Sequence, residues 1–201
     1  MTARHEYEVL STEVAFQGRV IDVHKDEVSM PGGTTSQRDV VVHPGAVAVL
    51  ALGERGVLLV NQYRHPARRH LDELPAGLLD KNGEAALVAA KRELAEEAGV
   101  AAQSWQVLAD VLTSAGMTDE AVRIYLARDL SEVHRDVQEH EEVEMTTSWV
   151  PLEQAARRVL DGDIENAIAV IGILAADRAA RDGFAGLRAA EAPWPSGKAP
   201  A

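Results

Sequence analysis

Apolar and polar residues alternate along "YEVLSTEVAFQGRVIDVHKDEVSMPGGTTSQRDVVVHPG" through Val20, Val23 and Val28; the pattern breaks at "MPGGTTS" and resumes at "RDVVV". It predicts two strands, a Gly-rich turn and a third strand. Residues 1–43 therefore read as a small antiparallel unit, which needs a partner surface to be stable. "GAVAVLAL" and "GVLLVNQYR" are β-branched-rich runs separated by "GER", the pattern of a hairpin of buried strands. From Glu84 to Ala98 no Gly or Pro occurs, Leu87, Ala90, Leu94 and Ala98 share one helical stripe, and Gly99 stands at the C′ position. "SWQVLADVLT" and "AVRIYLARDL" read as further strands. "VPLEQAARRVLDG" reads as a helix opened by Pro151 and closed by Gly162, and "IENAIAVIGILAADRAARDG" as a longer, apolar one buried against the sheet or a partner. The Pro-rich end, "APWPSGKAPA", predicts a flexible tail over residues 183–201. The order of elements gives an α/β sandwich with a mixed sheet and flanking helices.

At 201 residues the chain holds one core plus a small accessory piece. No apolar run approaches the roughly 20 residues of a membrane span. The start "MTARHEYEV" lacks the basic and apolar regions of a signal peptide, so a cytoplasmic protein is expected. With no cysteine, disulfides, zinc–thiolate sites and a thiol nucleophile are excluded. A net charge of −12 argues against nucleic acid as a partner. It also means that a phosphate-bearing substrate would need divalent cations, local arginines, or both.

The chemistry concentrates in "GEAALVAAKRELAEEAGV". Residues four apart share a helix face, so Glu93 stacks with Glu97 and Arg92 with Glu96. Two such carboxylates repel unless a cation lies between them, and hard divalent ions favour carboxylate oxygens. A solvated, glutamate-rich surface has the same spacing. The longer pattern separates the two readings. Glu84, Arg92, Glu93, Leu94, Glu96, Glu97, Gly99 and Val100 fall in register with the Nudix box, and the chain resembles the Nudix hydrolases. One departure stands at the front: six residues, "LLDKNG", separate Gly77 from Glu84, where the family has five.

The resemblance implies a Nudix-type α/β/α sandwich over residues 44–182, preceded by the N-terminal β unit. It implies hydrolysis of a nucleoside diphosphate linked to another moiety, with Mg²⁺, or Mn²⁺ in its place. Glu93, Glu97 and the Ala76 carbonyl would hold metal, with Arg92 bracing Glu96. "VVVHPGAVAVLAL" followed by "VLLVNQYRHPARRHLDELPAG" is similar to the ADP-ribose pyrophosphatase branch. That branch cleaves ADP-ribose to AMP and ribose 5-phosphate, and its N-terminal unit is shared across a homodimer. The same resemblance assigns Arg38, Arg64, Glu73 and Gly116 to the substrate. Phe16 either stacks on adenine or packs in the core. The acidic run "DVQEHEEVEM" would supply a glutamate as base or further metal ligand: Glu142 first, then Glu141 and Glu139. Ala115 stands where the branch carries proline in "TSAGMTDE". The competing readings are hydrolysis of another nucleoside diphosphate sugar, such as a GDP-sugar, and a non-catalytic ADP-ribose sensor.

Overall fold

The structure is a computed structural model that describes residues 5–134 and 144–197. Strands β1 (Val9–Gln17), β2 (Asp22–Met30) and β3 (Thr34–Val42) form a three-stranded antiparallel sheet, as the alternation predicted. Every residue of β1 is exposed. The main sheet contains β4 (Ala46–Gly53), β5 (Gly56–Arg64), β6 (Arg69–Glu73), β7 (Ala76–Leu78), β8 (Val100–Leu112), β9 (Ala121–Glu132), β10 (Thr146–Val150) and β11 (Arg188–Ala189). Its strands run β10-β5-β4-β9-β8-β11, with β6 on β5 and β7 on β4. The only parallel pair of strands among the described residues is β4 with β9, from Ala46 opposite Val122 to Ala51 opposite Ala127.

Strand β4 changes partner along its length. It pairs with β7 over Ala46–Ala48 and closes the predicted hairpin with β5 at Leu52 and Gly53. This split leaves β7 free to lie beneath a helix. Successive β4 side chains go to opposite faces. Ala48 and Leu50 enter the core beneath α2 (Leu152–Asp161) and α3 (Ala167–Ala180). Val47, Val49 and Ala51 enter the core beneath α1 (Ala86–Ala98). The expected sandwich is thus one sheet between α1 and the α2–α3 pair. Gly162 closes α2 as the sequence indicated, and the Asn166 side chain caps α3 by accepting from Ala169 N–H at 3.0 Å. No helix among the described residues is long and apolar enough to cross a membrane.

Two expectations need correction. Helix α1 begins at Ala86, not Glu84, because the backbone at Ala85 is extended, with ψ 144°; Glu84, just outside the helix, is bonded to Arg92. The expected flexible tail is folded through residue 197. Strand β11 pairs with β8, with Arg188 opposite Val107, and Ala190 is buried in the core beneath α1. Arg123, only 3% exposed, donates to the carbonyls of Ala192 (2.7 Å) and Pro193 (3.0 Å) and lies over the Trp194 ring. Arg123 also grips Asp110 through Nε at 2.7 Å and Nη2 at 3.0 Å. The segment satisfies a buried guanidinium and covers the outer edge of β8, and both tie it down.

Candidate active site

Helix α1 packs its small and apolar residues Ala89, Ala90 and Leu94 on the sheet, with Glu97 buried beside them. The same packing turns Glu93 and Glu97 toward β7. Glu97 is 7% exposed, and its Oε2 accepts from Ala76 N–H at 3.0 Å. Glu93 lies against Gly77 so closely that a Cβ built there would fall within 3.0 Å of Cγ, Cδ and Oε1 of Glu93. The two carboxylates expected to work together therefore meet consecutive backbone positions of one short strand.

Arg92 orders the surrounding carboxylates. Its Nε and Nη2 donate to Glu84 Oε1 and Oε2, each at 2.9 Å, a bidentate pair. Its Nη1 donates to Glu93 Oε1 at 2.6 Å and to Glu96 Oε2 at 2.8 Å. The predicted bracing of Glu96 is present, and Glu84 and Glu93 are held as well. Glu84, which matched the pattern but carried no assigned role, is the residue sequence reasoning missed. Its place at the head of the box was the available signal. Hydrogen bonding from Arg92, working against burial, holds the Glu84 carboxyl below its ordinary value. Burial pushes the Glu93 carboxyl up, against the pull of Arg92. Arg92 stays protonated, held first of all by Glu84.

The extra residue before α1 leaves this arrangement intact. Gly77 stays paired opposite Val47. Between β7 and α1 the chain makes a turn in which Glu84 N–H donates to Lys81 O at 3.1 Å and Gly83 adopts φ +76°, a conformation glycine takes without steric penalty.

Arg64 and Glu73, expected separately at the substrate, are paired with each other. Arg64 Nε donates to both Glu73 oxygens at 3.0 and 3.2 Å, and Nη2 donates to Oε2 at 2.7 Å. Gln62 adds a bond to the same Oε2 at 3.3 Å. Glu73 is 2% exposed and lies three residues before Ala76 in the chain. Arg38 and Phe16 lie on the N-terminal sheet instead. Phe16 is 57% exposed, and so is not a core residue of this chain. Arg38 bonds within its own sheet, to Ser36 Oγ and the Gln37 carbonyl. Gly116 is exposed in the β8–β9 loop, with open space around it. Glu139, Glu141 and Glu142 lie outside the described residues; Glu144, from the same acidic run, is exposed.

Residues 42–170 match the family described as the NUDIX domain, well over half of the chain. The chain belongs to the Nudix family. Over 193 residues it is 48% identical to "ADP-ribose pyrophosphatase" of Mycobacterium tuberculosis, covering 96% of this chain and 93% of that protein. Over 165 residues it is 40% identical to "ADP-ribose pyrophosphatase" of Bacillus subtilis, covering 81% and 88%. A solved structure titled "Crystal structure of ADP compounds hydrolase" superposes with a TM-score of 0.78 over 91% of this chain and 98% of that one, at 19% identity. That likeness bears on the fold, and it agrees with the sandwich described above. The Nudix box of this chain is therefore α1 together with the turn before it, and Glu84, Glu93, Glu96 and Glu97 are its four glutamates, with Arg92 at their centre.

Oxygen donors make up the Nudix site. Two buried or half-buried carboxylates meet the backbone of β7, and a chain without cysteine offers no thiolate. That chemistry suits a hard divalent cation. The fit is also steric, since the missing side chain at Gly77 is what lets Glu93 approach β7. Among the described residues no three His, Asp or Glu side chains are grouped to hold a metal.

Proposed function

We propose that this Nudix enzyme hydrolyses ADP-ribose to AMP and ribose 5-phosphate with a divalent cation, Mg²⁺ or Mn²⁺, held by Glu93, Glu97 and the Ala76 carbonyl. The observation that carries the reading is the meeting of Glu93 and Glu97 with Ala76 and Gly77, in a chain similar over 96% and 81% of its length to two ADP-ribose pyrophosphatases. When bound, the cation neutralises pyrophosphate charge and polarises the bond to be cleaved.

The protein's own groups supply the rest. Arg92 fixes three carboxylates in one frame, so that Glu93 need not reorganise during the reaction. The Ala76 N–H fixes Glu97 in the same way. A glutamate of the acidic run, Glu142 first with Glu141 and Glu139 behind it, takes the proton as water adds in line to a phosphorus. Arg64, aligned by Glu73, is the cation for the substrate's negative charge; Arg38, Phe16 and Gly116 form the outer part of the pocket.

The N-terminal sheet supports a homodimer. Val9, Leu10, Val14 and Phe16 are each more than half exposed on an edge strand, and such a surface calls for a partner. A second copy of the chain covering it would bring Phe16 and Arg38 into a pocket. Light scattering after size exclusion is expected to give twice the chain's 21.6 kDa.

The direct test is turnover of a panel of nucleotide sugars with Mg²⁺ and with EDTA. ADP-ribose is expected to be cleaved fastest, and EDTA to abolish activity. Faster turnover of GDP-mannose would overturn the substrate assignment, and EDTA-insensitive turnover would overturn the metal assignment.

A further inference from the structure

The N-terminal sheet meets the main domain at a polar joint. Val41, near the end of β3, forms a parallel bridge with Thr118 in the β8–β9 loop. Its N–H donates to Met117 O at 2.8 Å, and its carbonyl accepts from Thr118 Oγ1 at 2.9 Å and Asp119 N–H at 3.2 Å. Two residues on, His43 N–H donates to Asp119 Oδ1 at 2.9 Å. The His43 ring sits between Gly45 N–H, which donates to Nδ1 at 3.1 Å, and Glu120 Oε1, 3.6 Å from Nε2. The other oxygen of Glu120 accepts from Thr113 Oγ1 at 2.6 Å, at the opposite end of the loop. Glu120 thus closes the loop across its base and faces the joint at once.

The joint lies at the metal end of the sheet. Ala46 pairs with Val122 on one side and Leu78 on the other, so the loop's exit and β7 are two strand spacings apart, about 10 Å. Leu79 N–H, just after Gly77 and Leu78, donates to Gly45 O at 3.0 Å. On the open side of the loop, Gly116 and Met117 face solvent, Met117 at 57% exposure.

We propose that His43, Thr113, Asp119 and Glu120 are positioning residues that lock the 113–120 loop to β3, so that the N-terminal sheet and the Gly116–Met117 tip present one wall to the substrate. This rests on the reading that the loop borders the substrate. An exposed loop held by few apolar contacts samples many conformations, and fixing it before substrate arrives lowers the entropy lost on binding. The bonds of His43, Thr113, Asp119 and Glu120 run within the loop and to residues 41–45, so the expected effect is on substrate binding.

The test compares Glu120→Ala with Glu120→Gln in the full-length protein. The alanine variant loses both the Thr113 and the His43 contacts, and the glutamine variant keeps an acceptor for Thr113 Oγ1. For Glu120→Ala, KM for ADP-ribose is expected to rise about tenfold, the size of a lost hydrogen bond or two, with kcat within about twofold. Hydrogen exchange at the Val41 amide should speed up while that of Leu50 stays protected. Glu120→Gln should restore KM to within about threefold of wild type. An unchanged KM in Glu120→Ala, or a fall in kcat with faster exchange throughout the core, would overturn the proposal. A wild-type enzyme inactive on ADP-ribose would overturn the substrate reading instead. In that case the exchange arm still decides the joint, since unchanged protection at Val41 in Glu120→Ala sinks it.

Discussion

Gly77→Ala is the sharpest probe of how the site is built. Gly77 has an ordinary strand conformation opposite Val47, so alanine costs nothing in the backbone, and the whole perturbation is the added methyl group. That methyl would lie within 3.0 Å of three Glu93 side-chain atoms, including Cγ. Moving the carboxylate tip alone therefore gives no relief, and the whole side chain must change rotamer. The Arg92–Glu93 bond at 2.6 Å breaks with it. Overpacking costs about 1–3 kcal/mol, offset in part because Glu93, only 14% exposed, gains hydration as it swings out. At about 2–4 °C per kcal/mol for a chain of this size, the melting temperature should fall by roughly 2–8 °C. Activity should suffer far more, because misplacing a catalytic group by about 1 Å costs on the order of 100-fold. Initial rates of AMP release from ADP-ribose over a Mg²⁺ titration should show kcat/KM down about 100-fold and a higher Mg²⁺ requirement. Gly83→Ala is the control: its φ of +76° makes alanine cost about 1–2 kcal/mol, but the space around it is empty, so stability falls and the rate holds. If Gly77→Ala turned over within twofold of wild type, the approach of Glu93 to β7 would not matter to the reaction, and the proposed metal site would be wrong.

Glu97→Gln keeps an oxygen to accept from Ala76 N–H but removes the charge; turnover should drop by orders of magnitude with the circular dichroism spectrum unchanged, and an unaltered rate would remove Glu97 from the metal site. Asp110 is held below its ordinary value by hydrogen bonds from Arg123 and Arg188, which outweigh the opposing effect of burial. A carboxyl depressed in the folded state stabilises above the unfolded aspartate value of about 3.9 and loses that contribution as pH falls through the folded one. Asp110→Asn should therefore be less stable than wild type at pH 7, and thermal melts should show the gap closing below about pH 4; a gap that stays constant with pH would contradict the assignment. Truncation after Gly186 removes β11 and the two carbonyls that satisfy Arg123. Scanning calorimetry should show a loss of several degrees, on the order of 1–3 kcal/mol for a buried guanidinium left short of partners, and a melting temperature unchanged within a degree would mean that the segment does not hold the edge of β8.

The elements that were legible in sequence are those whose signal is local. The alternation in residues 8–43 gave the N-terminal sheet, and the box gave α1 with its glutamates in register. What escaped depends on contacts between distant positions. His43 and Asp119 are 76 residues apart, and neither stands out in its own segment. Arg64 and Glu73 were each assigned to the substrate, but their pairing is a long diagonal across the β5–β6 hairpin, whose register sets Arg64 opposite Arg69 and Val60 opposite Glu73. The C-terminal segment has no periodicity because it is held through its carbonyls, and carbonyls leave no mark on composition. Its signal lay elsewhere, in Arg123 within "AVRIYLAR", where strand alternation turns a guanidinium inward and requires acceptors.

The extra residue before α1 shows why local departures from a pattern differ in weight. Pairing with β4 fixes β7. Packing on the sheet and the Arg92–Glu84 pair fix the start of α1. The chain between these anchors only has to connect them, and it does so through a turn at Asn82 and Gly83. A residue inserted between Arg92 and Glu97 would instead rotate one carboxylate by about 100° around the helix, away from β7. Register inside the helix therefore determines the chemistry, whereas length before it does not.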